Sequence, residues 1–115
     1  MKADEEELIH ELRAKATQWD SLVGSDAKRA NVLFDRVHAI VKLLRGNPRG
    51  RLAVQALLTD RNTGVRLLMA SECLSWAPDE AIPVLEEIEN DPGLHSVSAK
   101  YTLKSYRAGT LNLDW

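Results

Sequence analysis

The chain has 115 residues, 28% of them charged and 44% hydrophobic, with a net charge of −2 and one cysteine. A single domain of that length hides roughly two thirds of the surface its unfolded chain exposes, so neither a disulfide nor a metal is needed to hold it together. No stretch approaches the ~18 continuous apolar residues of a membrane span, and the acidic start MKADEEELIHEL lacks the apolar run of a targeting peptide; the expected location is the cytoplasm, with Cys73 a small core residue in a reducing compartment.

The charge is segregated along the chain. Residues 1–27 carry three basic and seven acidic side chains (−4), residues 28–66 nine and two (+7), and residues 67–115 three and eight (−5). Such asymmetry marks either a binding face or neighbouring helices that neutralise one another.

In the first segment, Asp4 and Glu7 have capping-box spacing, and Leu8, Leu12, Ala16 and Trp19 recur with helical period, predicting a helix to about Trp19. A second helix, capped by Ser25 or Asp26, sets Ala30, Leu33, Phe34, Val37, Val41 and Leu44 on one face with Ile40, and ends at Gly46. His38 borders that face and reads as a partly buried, satisfied histidine, because His10 and His95 show no ligand spacing with it.

The joint Arg45–Arg51, RGNPRGR, is a glycine stop, an asparagine cap and a proline at the first helical position. Arginines beside a helix N-terminus are also a candidate anion site, formed by Arg45, Arg49 and Arg51. The glycine spacing and lysine of a phosphate loop are missing.

A third helix, 49–58, is expected to bury Leu52, Ala53, Ala56 and Leu57. After the turn TDRNTG, residues 65–74 are apolar nearly all the way round, so this fourth helix must be surrounded by others. PDEAIPVLEEIEND forms a fifth, with Pro83 a potential kink, Ile82, Leu85 and Ile88 inward and Glu86, Glu87 and Glu89 outward. A sixth, from about Ser96 to Gly109, buries Ala99, Leu103 and Tyr106. The ending TLNLDW alternates Leu111, Leu113 and Trp115, which is extended-chain periodicity; it either docks on the helices or is offered to a partner.

Moving Leu68, Ala70 and Leu74 forward by 29 residues lands on Val97, Ala99 and Leu103, and the helices before these segments end at Asp60 and Asp91. PDEAIPVLEEIEND is similar to the first helix of phycobilin-lyase-type HEAT repeats, and LLTDRNTGVRLLMASECL resembles the Asp turn, Val-Arg pair and alanine-centred second helix of the same repeat. The likeness spans residues 47–109. It implies one all-α domain over 1–115, about six helices in a short right-handed solenoid of helical hairpins: two amphipathic helices in 1–46, two HEAT-like pairs in 47–109 and a tail, 110–115. It also implies an Asp–Arg ladder through Asp60 and Arg66, with His95 where the next arginine would align.

The whole chain, with its ending LKSYRAGTLNL, further resembles an uncharacterised bacterial HEAT-like domain family, and that resemblance implies a link to immunity proteins of polymorphic toxin systems. In stacked helix pairs the second helices usually meet the partner. The expected partner face therefore comprises Glu72, Ser75 and Trp76 with Lys100, Lys104 and Arg107, beside an acidic patch of Glu86, Glu87, Glu89 and Asp91; for Trp76, core packing competes.

No HExxH, CxxC or nucleophile motif is present, so no enzyme, cofactor, metal or small-molecule substrate is expected. Two functions remain: a protein-binding module, most concretely an immunity protein neutralising a toxin, and a nucleic-acid or phosphate binder using residues 28–66.

Overall fold

The computed structural model describes residues 2–113 and 115, with side chains from residue 4 onward. Six α-helices and one 3₁₀ turn account for them: α1 (Lys2–Leu22), α2 (Ala27–Leu44), α3 (Pro48–Ala56), the 3₁₀ turn Leu57–Thr59, α4 (Thr63–Cys73), α5 (Pro78–Asn90) and α6 (Ser96–Arg107). Their radius of gyration is 13.4 Å, close to the ~13 Å expected of a packed domain of this length.

Short connections decide the packing, because a few residues leave the next helix no choice but to run back along the last. Consecutive helices accordingly pack together from α1 to α6, and α1 also lies across α4. That crossing covers the most apolar helix: Val65, Leu67, Leu68, Met69, Ala70 and Cys73 of α4 are all buried, together with Leu12 and Ala16 of α1, Ile40 and Val41 of α2, Leu85 of α5 and Leu103 of α6.

Local chemistry sets the boundaries. Asp26 caps α2 by accepting from the Arg29 N–H, Asn47 caps α3 through Gly50, and Asn62 caps α4 through Val65, each satisfying an orphan donor of a first turn. Pro48 and Pro78 stand in the first turns of α3 and α5, where no N–H is required. Gly109, at φ +74°, stops α6 in the left-handed region.

Three expectations change. Asp4 lies inside α1, which is already helical from Lys2, so it contributes negative charge to the first turn and is not a cap. In α3 the buried residues are Gly50 and Val54, followed by Leu58 in the 3₁₀ turn, while Leu52 is 64% exposed; a short helix pinned by its cap and its tightened last turn takes its phase from those ends. Pro83 does not break α5. It sits on the exposed face, where the carbonyl left without its N–H partner, that of Asp79, also faces outward.

Candidate functional site

A cavity of about 260 Å³ opens where α2, α4, α6 and tail residues 111–113 and 115 meet, with Trp19 of α1 behind it. Phe34 comes from α2, Leu67, Leu68, Ser71 and Glu72 from α4, Ser98 and Thr102 from α6, and Leu111, Leu113 and Trp115 from the tail. Helical spacing explains the selection: Leu68, Ser71 and Glu72 stand three and four apart along α4, with Ser75 in the turn just beyond its end, and Ser98 and Thr102 stand four apart along α6, so each helical set lies on one face.

The tail docks. Leu111 and Leu113 are half-buried against the core, and Trp115 lies flat over α2, its ring centroid 3.5 Å from that of His38 at 7° and 5.6 Å from that of Phe34 at 16°. Phe34 and His38 are four residues apart, hence neighbours on the helix surface that one indole can span.

Beneath Trp115 is a buried polar pair. His38 Nδ1 lies 3.1 and 3.0 Å from the two carboxylate oxygens of Glu72, and both side chains are over nine-tenths enclosed. Burial pushes the Glu72 carboxyl above its ordinary value, against the opposing pull of His38 and Arg45. His38 Nε2 is buried with no hydrogen-bond partner among the described residues, so the expectation of a satisfied histidine holds for one nitrogen only. Facing an ionised Glu72, Nδ1 is the donor of the pair, and Nε2 is left unmatched. A carboxylate-oriented imidazole has the form of a general base, yet Trp115 covers its face.

Of the expected partner residues, Glu72 is corrected: it is buried and held by His38, because α4 is central and its polar residue turns toward α2. Trp76 is half-buried, and its indole N–H donates to Gln55 Oε1 at 3.0 Å, so it packs against the core. Lys100 and Lys104 are exposed, but each stands two residues, about 200° of helical turn, from Ser98 or Thr102; they lie away from the cavity. On α5, Glu86 and Glu87 are exposed and Glu89 is half-buried; Glu86 Oε2 accepts from Arg107 at 2.9 Å.

The arginine cluster is divided. Arg51 Nε donates to the Arg45 carbonyl at 2.9 Å, Arg45 lines the cavity, and Arg49 is exposed, while Asn47 already takes the Gly50 amide of the α3 N-terminus. Nor do Asp60 and Arg66 form a carboxylate–guanidinium ladder. Arg66 donates to the backbone carbonyls of Asp60 and Arg61, and the Asp60 carboxylate accepts from Arg13 of α1 at 2.7 Å and from the Asn62 amide. His95 reaches Asp20 of α1 at 2.5 Å and stacks on Trp19. These polar residues fasten α1 to the turns around α4 and α6.

Sequence reasoning missed the cavity because it is assembled from three helices and the tail. The only signal for it was the alternation of Leu111, Leu113 and Trp115. Among the described residues no group of three or more His, Cys, Asp or Glu could hold a metal ion, and no helix is long and apolar enough to cross a membrane.

No protein-family model matches the chain, and no curated protein matches it. Among solved structures, the chain is similar to the crystal structure of the protein RPA1889 from Rhodopseudomonas palustris CGA009, at 26% identity and a TM-score of 0.84, over 94% of this chain and 92% of that one. The all-helical architecture of this chain is thus one that a small bacterial protein also adopts over nearly its full length.

Proposed function

We propose that the chain is a non-enzymatic protein-binding module: a short HEAT-like right-handed solenoid of helical hairpins whose concrete role is that of an immunity protein occluding a bacterial toxin. The observation that carries the binding reading is the groove to which α2, α4 and α6, the second helix of each hairpin, all contribute, and against which Leu111, Leu113 and Trp115 already pack. The toxin reading draws its support from α5. Asp79 and Glu87 are exposed on its outer side, with Asp91 just beyond its end, and none of the three has an ion-pair partner among the described residues; such a surface steers a basic partner at low salt.

Nucleic-acid binding through residues 28–66 is less well supported. Arg36 is committed to Glu11, and Arg51 and Arg66 to backbone carbonyls, which leaves a thinner basic surface than the +7 of that segment suggests.

Co-expression with the product of the adjacent gene tests the reading. A stable complex and relief of growth inhibition are expected; neither appearing would remove it. Salt-sensitive binding to a labelled duplex would favour the nucleic-acid alternative.

A further inference from the structure

We infer that the groove between α2, α4 and α6 is a docking site for an extended segment of a partner protein, with large apolar residues at two alternate positions and an aromatic residue two places on, and that Leu111, Leu113 and Trp115 occupy it as an internal competitor. The inference rests on the protein-binding reading and deepens it by naming the surface and the chemistry of the occupant.

The tail shows what the groove accepts. Leu111, Leu113 and Trp115 are alternate residues and all three line the groove, the same-side placement that an extended partner segment of that spacing would share. Gly109 at φ +74° turns the chain away from α6 just before it, in a cap closed by the Gly109 and Thr110 amides donating to the Tyr106 and Ser105 carbonyls.

The tail is also an imperfect filler. Trp115 remains 43% exposed, Leu111 and Leu113 are only half-buried, and about 260 Å³ of cavity stays open beside them, against the roughly 150 Å³ that suffices for benzene. The His38 Nε2 atom under the indole has no partner. A segment with bulkier side chains than leucine fills more of that volume and gains the dispersion contacts the tail forgoes. Ser71, Ser75, Ser98 and Thr102 line the same groove, short polar side chains that can pair with the main chain of an incoming segment.

Competition from a tethered segment weakens a partner without abolishing it, because a short linker holds the tail at a local concentration of order millimolar. The partner segment therefore binds more tightly wherever the tail is weakened.

The test uses the full chain and a fluorescent peptide of the sequence TLNLDW, blocked at both ends, followed by anisotropy. The Leu113→Ser/Trp115→Ala double variant is expected to bind it saturably, at least tenfold more tightly than the wild-type chain. Adding Ser98→Arg, on an exposed helix position of the groove wall, is expected to abolish binding while leaving the helical circular dichroism unchanged. Absence of binding to the double variant, equal binding to wild type, or insensitivity to Ser98→Arg overturns the inference. So does a wild-type dimer that the double variant fails to form, since the groove would then take a second copy's tail. A partner complex that forms with equal affinity in the wild type and both variants leaves the protein-binding reading standing and the groove refuted; no complex in any of them, with peptide binding intact, refutes the partner reading alone.

Discussion

Trp115 and His38 lie face to face, ring centroids 3.5 Å apart and planes 7° from parallel, so the last aromatic of the chain closes over a buried imidazole on its second helix. The tail is thereby coupled to the one buried side-chain nitrogen that has no partner among the described residues. Replacing Trp115 with Ala should lower stability by more than the about 0.5–1.5 kcal/mol that an aromatic pair is worth beyond its buried area, because the covered part of the indole is lost as well, and should move the His38 ring proton resonances. Trp115→Phe should restore most of both. Unchanged His38 resonances in the alanine variant would show that the tail does not rest there.

Asp60 gives the expected pH dependence. Burial opposes its ionisation, but hydrogen bonds from Arg13 and the Asn62 amide outweigh that, and its carboxyl is held below the ordinary value of 3.8. A folded value below the unfolded one contributes stability that is complete above the unfolded value and is lost as pH falls through the folded one. Asp60→Asn should cost about 1–2 kcal/mol at pH 7, with Arg13 half in solvent keeping the figure low. That difference should shrink below pH ~4. Urea titrations at pH 7, 4 and 2.5 measure it; a gap that widens in acid would contradict the assignment.

Arg66→Ala should lower the melting temperature by removing the guanidinium that ties the Asp60 and Arg61 carbonyls to α4, at about 1–3 kcal/mol for carbonyls losing a charged donor. Partner affinity, measured on the folded fraction, should be unaffected. Weakened binding at an unchanged melting temperature would move Arg66 from the scaffold to the interface.

Two buried glycines should differ sharply. A Cβ on Gly50 would sit 1.7 Å from the Leu44 carbonyl oxygen, whereas on Gly64 it would meet the Asp20 carboxylate at 2.3 Å. The Leu44 backbone cannot yield, so Gly50→Ala should cost more than ~4 kcal/mol; at Gly64 the Asp20 carboxylate can rotate away but its Cβ, at 2.6 Å, moves only with α1, so Gly64→Ala should cost about 1–3 kcal/mol and loosen the Asp20–His95 bond. Gly46→Ala, with its nearest contact at 3.5 Å, serves as a near-neutral control. Thermal melts of the three variants should rank them in that order.

Cys73 is fully buried, and burial, with Glu72 and Glu80 nearby, pushes its thiol up to about 12. Reaction with a thiol reagent at pH 8 should therefore follow global unfolding and accelerate in urea. Rapid modification of the folded protein would show that α4 opens locally.

The sequence by itself determined the six helices, the caps at Asn47 and at Ser25 or Asp26, the glycine stop at Gly109 and the central place of α4, because each depends on residues close in the chain: a capping side chain three positions away, a stripe of period 3.6, a helix with no polar face. Only the tertiary structure decided where the polar residues of those helices go. Glu72 looked like a surface carboxylate until α2 brought His38 against it, Asp60 and Arg66 like a ladder until α1 delivered Arg13, and the tail like an apolar edge until Phe34 and His38 offered it a floor. Such pairings join residues 34 to 81 positions apart, and no local period records which helix will cross which.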